Sequence, residues 1–132
     1  MLNQIIEKIP PQNLEAEMAV LGSMFIDENA ISVACESITK DSFYKDIHAK
    51  IFEAAVNLYN SNKAVDLITL ADELKRAGVL DEVGGGSYLT SLANVVPTAA
   101  NVSHYVSIVK EKSILRTLIN NATRIVSLCY ES

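Results

Sequence analysis

The segment NVSHYVSIVKEKSILRTLINNATRIVSLCYES, residues 101–132, contains neither glycine nor proline. No other feature constrains the fold as much. With no breaker, helical potential runs on from Asn101, which offers an amino-terminal cap, and a helix of that length outruns the core of a small domain. Its apolar residues do not keep to one face. Val102, Tyr105, Val106 and Val109 cluster on one side, whereas Leu115, Leu118, Ile119, Ala122, Val126 and Cys129 cluster on another, rotated by roughly a quarter to a third of a turn. The change falls at the charged KEKS of residues 110–113. The spacing predicts that the first half packs on the chain's own core. The second half leaves the globule as the first arm of a helical hairpin and faces something this sequence does not supply.

The residues before it read as an all-α unit. A chain of 132 residues, 49% apolar, closes one compact core and has no room for a second full domain. Pro10 and Pro11 withdraw two backbone donors and bias Ile9 away from helix, so residues 1–12 read as a flexible amino-terminal arm. Residues 13–100 form the globular helical head and residues 101–132 the long helix. Asn13 caps the first helix, with Glu15 and Glu17 at the positive end of its dipole and Leu14, Met18, Leu21 and Phe25 on one face. Asp27 offers a second cap. Residues 43–59 repeat apolar side chains at intervals of three and four through Ile47, Ile51, Phe52, Ala55, Val56 and Tyr59. Residues 65–68 read as an extended connector. After them Thr69 and Asp72 make a capping box for a helix that Gly78 ends.

The chemistry is best judged at the stretch GGGSYLTSLANVVPTAANVSHY, residues 84–105. Three glycines ahead of a helix are how several phosphate-cradling loops begin. Here no Lys follows the last glycine to reach a phosphate, and no strand precedes the run, so neither a Walker A loop nor a dinucleotide fingerprint is present. The glycines read as an interhelical turn with Ser87 as cap. His48 and His104 lie far apart on separate predicted helices, where a partly buried or surface histidine is commoner than a base. The acid pairs, including Glu15 with Glu17, read as helix-start charges. Cys35 and Cys129 lack CxxC spacing and read as two buried free thiols. No enzyme emerges from these residues, and no cofactor or metal is expected in the chain. A net charge of -5 argues against a surface built on clustered Lys and Arg for phosphate contact. No apolar run spans a bilayer, and residues 1–12 lack a basic region followed by an apolar one, so the expectation is a cytoplasmic chain.

Four blocks taken in order and spacing carry a resemblance: IPPQNLEAEMAVLGSMFID, SFYKDIHAKIFEAAVNLY, VDLITLADEL, and GGGSYLTSLANVVPTAANVSHYVSIVKEKSILRTLI. Together they resemble the amino-terminal domain of the bacterial DnaB-family replicative DNA helicase, from about Ile9 to about Arg124. The resemblance implies an all-helical head followed by a helical hairpin, a non-catalytic collar piece of a larger helicase. ATP and magnesium would belong to a motor domain absent here. It also implies self-association as dimers, with hexamers in the full-length protein, docking of the primase carboxy-terminal domain, and a part in association with the helicase loader. No direct nucleic-acid or membrane contact is implied for this domain. A stand-alone helical oligomerisation or adaptor module, or a weak DNA-binding domain, is the alternative.

For such contacts the candidates are Leu115, Leu118, Ile119, Ala122 and Val126 on the stripe, with Ile119 and Ile125 at its edges as large aliphatic hot-spot candidates. The competing reading for these is ordinary hairpin core. Tyr88 has an apolar body and a polar tip suited to an interface or to a core with a bonded hydroxyl. Glu15 could pair with a basic partner or stabilise the helix dipole. Arg116 and Arg124 lie off the stripe, for ion pairs across an interface or for solvation.

Overall fold

The computed structural model describes residues 9–132. Among them the fold is all-α: helices α1 (Leu14–Ile26), α2 (Asn29–Cys35), α3 (Asp46–Asn60), α4 (Leu67–Arg76), α5 (Gly85–Ala93) and α6 (Val102–Glu131), with a 3-10 turn at Lys40–Ser42. The proposed amino-terminal arm lies mostly outside the described residues. Its end, at Pro11 and Gln12, is half-buried.

Helix α1 is central and packs against α2, α3, α5 and α6. Asn13 caps it, its side-chain oxygen accepting from the Ala16 amide at 2.9 Å. Its burial is wider than the face expected from Leu14, Met18, Leu21 and Phe25. Of these only Leu21 is fully buried, while Ala16, Ala19, Val20, Gly22, Ser23 and Met24 are buried as well. Neighbours close in from several sides, and the small residues let them approach. At Gly22 the neighbour is α5: a Cβ placed there would come within 2.4 Å of the Leu92 carbonyl oxygen.

Three helix starts differ from their sequence readings. Helix α3 begins at Asp46 rather than near Phe43. Helix α4 begins at Leu67, because Asp66 and Thr69 form the capping box that was expected of Thr69 and Asp72. The Asp66 carboxylate accepts from the Thr69 amide at 2.9 Å, and Thr69 Oγ1 accepts from the Asp66 amide at 3.0 Å. That bond from the Thr69 amide holds the Asp66 carboxyl below its ordinary pKa. Asp72 pairs with Arg76 instead, at 3.0 Å. Helix α5 begins at Gly85, so Ser87 lies inside it and is not its cap. Gly84 and Gly85 take φ of 107° and 68°, a region that glycine enters without steric cost. A Cβ on Gly84 would strike Tyr88 Cβ at 2.7 Å, so the glycine lets Tyr88 fold back over the turn.

The cysteine reading is also corrected: both are free and exposed. Ala30, Ile31 and Ala34 fill the buried side of α2, which leaves Cys35 facing out. Partial burial nevertheless raises its thiol pKa.

Glu17 and His48 depart furthest from expectation. Glu17 is 2% exposed and His48 0%. One carboxylate oxygen accepts from the Tyr44 amide at 2.7 Å, and the other from His48 Nδ1 at 2.8 Å and the Lys45 amide at 3.4 Å. Because the carboxylate can only accept, Nδ1 carries a proton. In the neutral ring Nε2 is then free to accept from the Tyr88 hydroxyl, at 2.6 Å. Helix α3 has no side-chain cap of its own at Lys45. The carboxylate from α1 takes up that end, where the helix dipole favours negative charge. A sequence signal for both residues exists in their spacing. Glu17 is in register with Val20, Leu21 and Met24, and His48 with Ile51, Phe52 and Ala55, all buried.

Gly22→Ala is expected to destabilise the fold by about 1–3 kcal/mol through overpacking against backbone. Gly86→Ala, where a Cβ meets nothing within 4 Å, should stabilise it by about 0.4–1 kcal/mol. Chemical denaturation of the pair reads both signs. Glu17→Ala strands His48 and two amides and should cost about 3–5 kcal/mol, more than the roughly 1–3 kcal/mol for Tyr88→Phe. The Tyr88 phenol is raised above its ordinary 10.0 by burial and by the Glu17 charge. The folded state therefore disfavours the phenolate: the contribution is complete below pH 10 and is lost as pH rises through the raised value. The alkaline limb of a stability–pH curve should be shallower in Tyr88→Phe than in the wild type.

Candidate interaction surface

Helix α6 changes role along its length. Val102, Val106 and Val109 are buried in the head and Tyr105 half-buried, the four positions whose spacing predicted it. From Ile114 onward every residue except Arg116 is exposed. Leu115 is 37% exposed, Leu118 58%, Ile119 49%, Ile125 61% and Val126 54%, and Ala122 is exposed among them. Large apolar side chains at these exposures, side by side on one helix, form a surface that monomers seldom leave bare. Ile114 and Leu128, at 50% and 51%, extend it beyond the stripe read from the sequence.

The other candidates separate. Glu15 is exposed on the first turn of α1, and Arg124 is exposed on the arm. Tyr88 is half-buried with its hydroxyl turned inward to His48 and with the Lys45 ammonium 5.9 Å from its ring centre. Its polar tip is thus already engaged, and only ring surface remains for a partner. Arg116 is held by its own chain: Nη1 donates to the Pro11 carbonyl at 2.8 Å and Nη2 to the Ser42 carbonyl at 2.7 Å. Its guanidinium carbon stands 5.5 Å from the centre of the Tyr44 ring. The sequence weighed only an ion pair or solvation for Arg116, since contacts more than seventy residues apart leave no local pattern.

Among the described residues no three His, Cys, Asp or Glu side chains gather as a metal site, and no helix is long and apolar enough to cross a membrane. His104 is exposed. At the head of α5 the Ser87 hydroxyl points back to the Gly84 carbonyl at 3.5 Å, the geometry of a turn.

The chain resembles known proteins in sequence and in fold. The chain is similar to the Replicative DNA helicase DnaC of Bacillus subtilis (strain 168), at 49% identity over 95% of this chain and 28% of that protein. It is similar also to the Replicative DNA helicase DnaB of Geobacillus stearothermophilus, at 50% identity over 90% of this chain and 26% of that protein. It therefore spans about a quarter of the length of these curated relatives. The crystal structure of the N-terminal domain of DnaB helicase from Mycobacterium tuberculosis superposes with a TM-score of 0.91 at 42% identity, covering 92% of this chain and 85% of that one. The N-terminal domain of DnaB helicase from Helicobacter pylori, described with its interactions with primase, shares the fold alone. Its TM-score is 0.76 at 20% identity, over 88% of this chain and 90% of that one. The model of the DnaB-like helicase N-terminal domain matches residues 9–111, which takes in the whole head and the buried half of α6, and the chain belongs to that family.

Proposed function

We propose that the chain is a non-catalytic assembly and docking domain of a replicative DNA helicase. It pairs with further copies of itself and receives the carboxy-terminal domain of primase, with a secondary part in loader association. On this reading unwinding, ATP and magnesium belong to the rest of a longer protein, and the domain works in the cytoplasm. The observation that carries the reading is the breadth of apolar surface on the arm. Taken at about 100° per residue, the apolar side chains from Leu128 round through Ile125, Leu118 and Leu115 to Ile119 cover about 180° of the helix circumference, with Asn121 the one polar side chain inside that arc. Thr117, Asn120 and Arg124 occupy the other side. A single antiparallel partner covers a narrower seam. The arm therefore calls for more than one neighbouring helix, such as a second hairpin arm together with a helix of another copy or of a partner protein. The interactions with primase described for the Helicobacter pylori domain support the choice of partner.

Ile119 and Ile125 are the proposed hot spots for that partner, with Leu115, Leu118, Ala122 and Val126 closing the bundle around them. Glu15 and the ring of Tyr88 are secondary contacts on the head. The net charge of -5 favours protein partners over phosphate backbones.

Sedimentation across a concentration series should show the 132-residue chain as folded and weakly self-associating, and a stable hexamer would contradict that. Calorimetry with the primase carboxy-terminal domain should find binding weakened about 10-fold, or 1.4 kcal/mol, by Ile119→Ala or Ile125→Ala. Unchanged affinity in both folded variants would remove them from the site. Titration with single-stranded DNA should give no steep dependence on salt.

A further inference from the structure

The last side chain of α6 buried in the head is Val109, and Arg116 follows seven residues further on. At 1.5 Å per residue that leaves roughly 10 Å of helix with no deeply buried side chain to aim it. Arg116 lies at the end of this interval and is the last residue of the helix that is not exposed. Its guanidinium joins two segments that are remote from it and from each other, Pro11 ahead of α1 and Ser42 in the 3-10 turn, by bonds of 2.8 and 2.7 Å. The Tyr44 ring lies beneath it. Tyr44 is fixed in turn, because its amide donates to the buried carboxylate of Glu17 at 2.7 Å.

We infer that Arg116 is a positioning residue which sets the direction in which the arm leaves the head, keyed through Tyr44 to Glu17. Two carbonyls at the ends of a planar fork fix both the position and the plane of the guanidinium, which a single ammonium cannot do. The arm beyond it runs about 22 Å to Glu131, so a swing of about 10° at Arg116 moves its end by about 4 Å. A displacement of that size decides whether apolar side chains meet a partner in register. This role concerns the shape of the single chain and stands independently of which partner the arm receives.

The two cysteines make the test direct, since both are free and exposed, one on the head and one near the end of the arm. Spin labels on Cys35 and Cys129 report the head-to-arm distance by pulsed electron resonance, with labelled chain diluted into unlabelled chain so that only distances within one chain are read. Wild type should give one narrow distribution. Arg116→Met should broaden it and shift its mean, and Arg116→Lys should not restore it, while amide exchange of residues 117–131 stays as in wild type. Tyr44→Leu, which keeps the amide bond to Glu17, gives a second reading should Arg116→Met fail to fold, and should broaden the distribution in the same sense. A distribution unchanged in the folded variants would overturn the inference. So would broadening that appears only with lost protection of residues 117–131, because the arm would then have frayed rather than swung.

Discussion

A carboxylate with almost no access to water holds this fold in register. Glu17 accepts hydrogen bonds from two backbone amides at the entry to α3 and from the His48 ring, and through His48 it reaches Tyr88 on α5. Stripping water from a carboxylate costs several kcal/mol, so the site persists only where each lone pair is used with good geometry. Here every buried side-chain nitrogen and oxygen among the described residues has a partner. Apolar packing around α1 supplies the driving force for collapse. The carboxylate selects which collapsed arrangement is native, because sliding α3 along α1 would strand a charge.

The head made in this way is closed, and the arm is not. A single continuous helix serves both, which makes its direction a property of the head. Arg116 is where the two meet. Tyr44 faces two ways, giving its amide to Glu17 and its ring to Arg116. The buried polar centre and the base of the arm are therefore joined by one residue. On the proposed function, in which the arm presents an apolar helix to other chains, such a link fixes the orientation on which affinity depends.

Much of this was legible in the residues. The all-α class, the cap at Asn13, the break between the two faces of α6 and the bare stripe from Leu115 follow from periodicity and from the absence of glycine and proline. The blocks that carry the family resemblance run through the head and along the long helix to Ile119, and the family model matches residues 9–111 of that stretch. What was missed has physical causes. Glu17 was read as a helix-start charge and His48 as a partly buried or surface histidine; both are fully buried, and their register with buried neighbours was the better guide. Arg116 could not be found locally, because its partners are the carbonyls of Pro11 and Ser42, and any residue can supply a carbonyl. The start of α4 was misplaced because Asp66–Thr69 and Thr69–Asp72 offer overlapping caps, and only the fold decides between them. Cys35 was assigned to the core on the average behaviour of cysteine, which gives no information about the side of α2 it occupies.

Central to this account is the claim that Glu17 organises the head, and the amide of Tyr44 tests it most directly. Tyr44 lies outside any helix, so no regular backbone ladder protects it. Native-state hydrogen exchange should nevertheless place it among the slowest amides of the chain, opening only with global unfolding and with the same free energy as core amides of α1. Exchange through a low-energy local opening, with α1 still protected, would show that the head stands without that bond and would contradict the account.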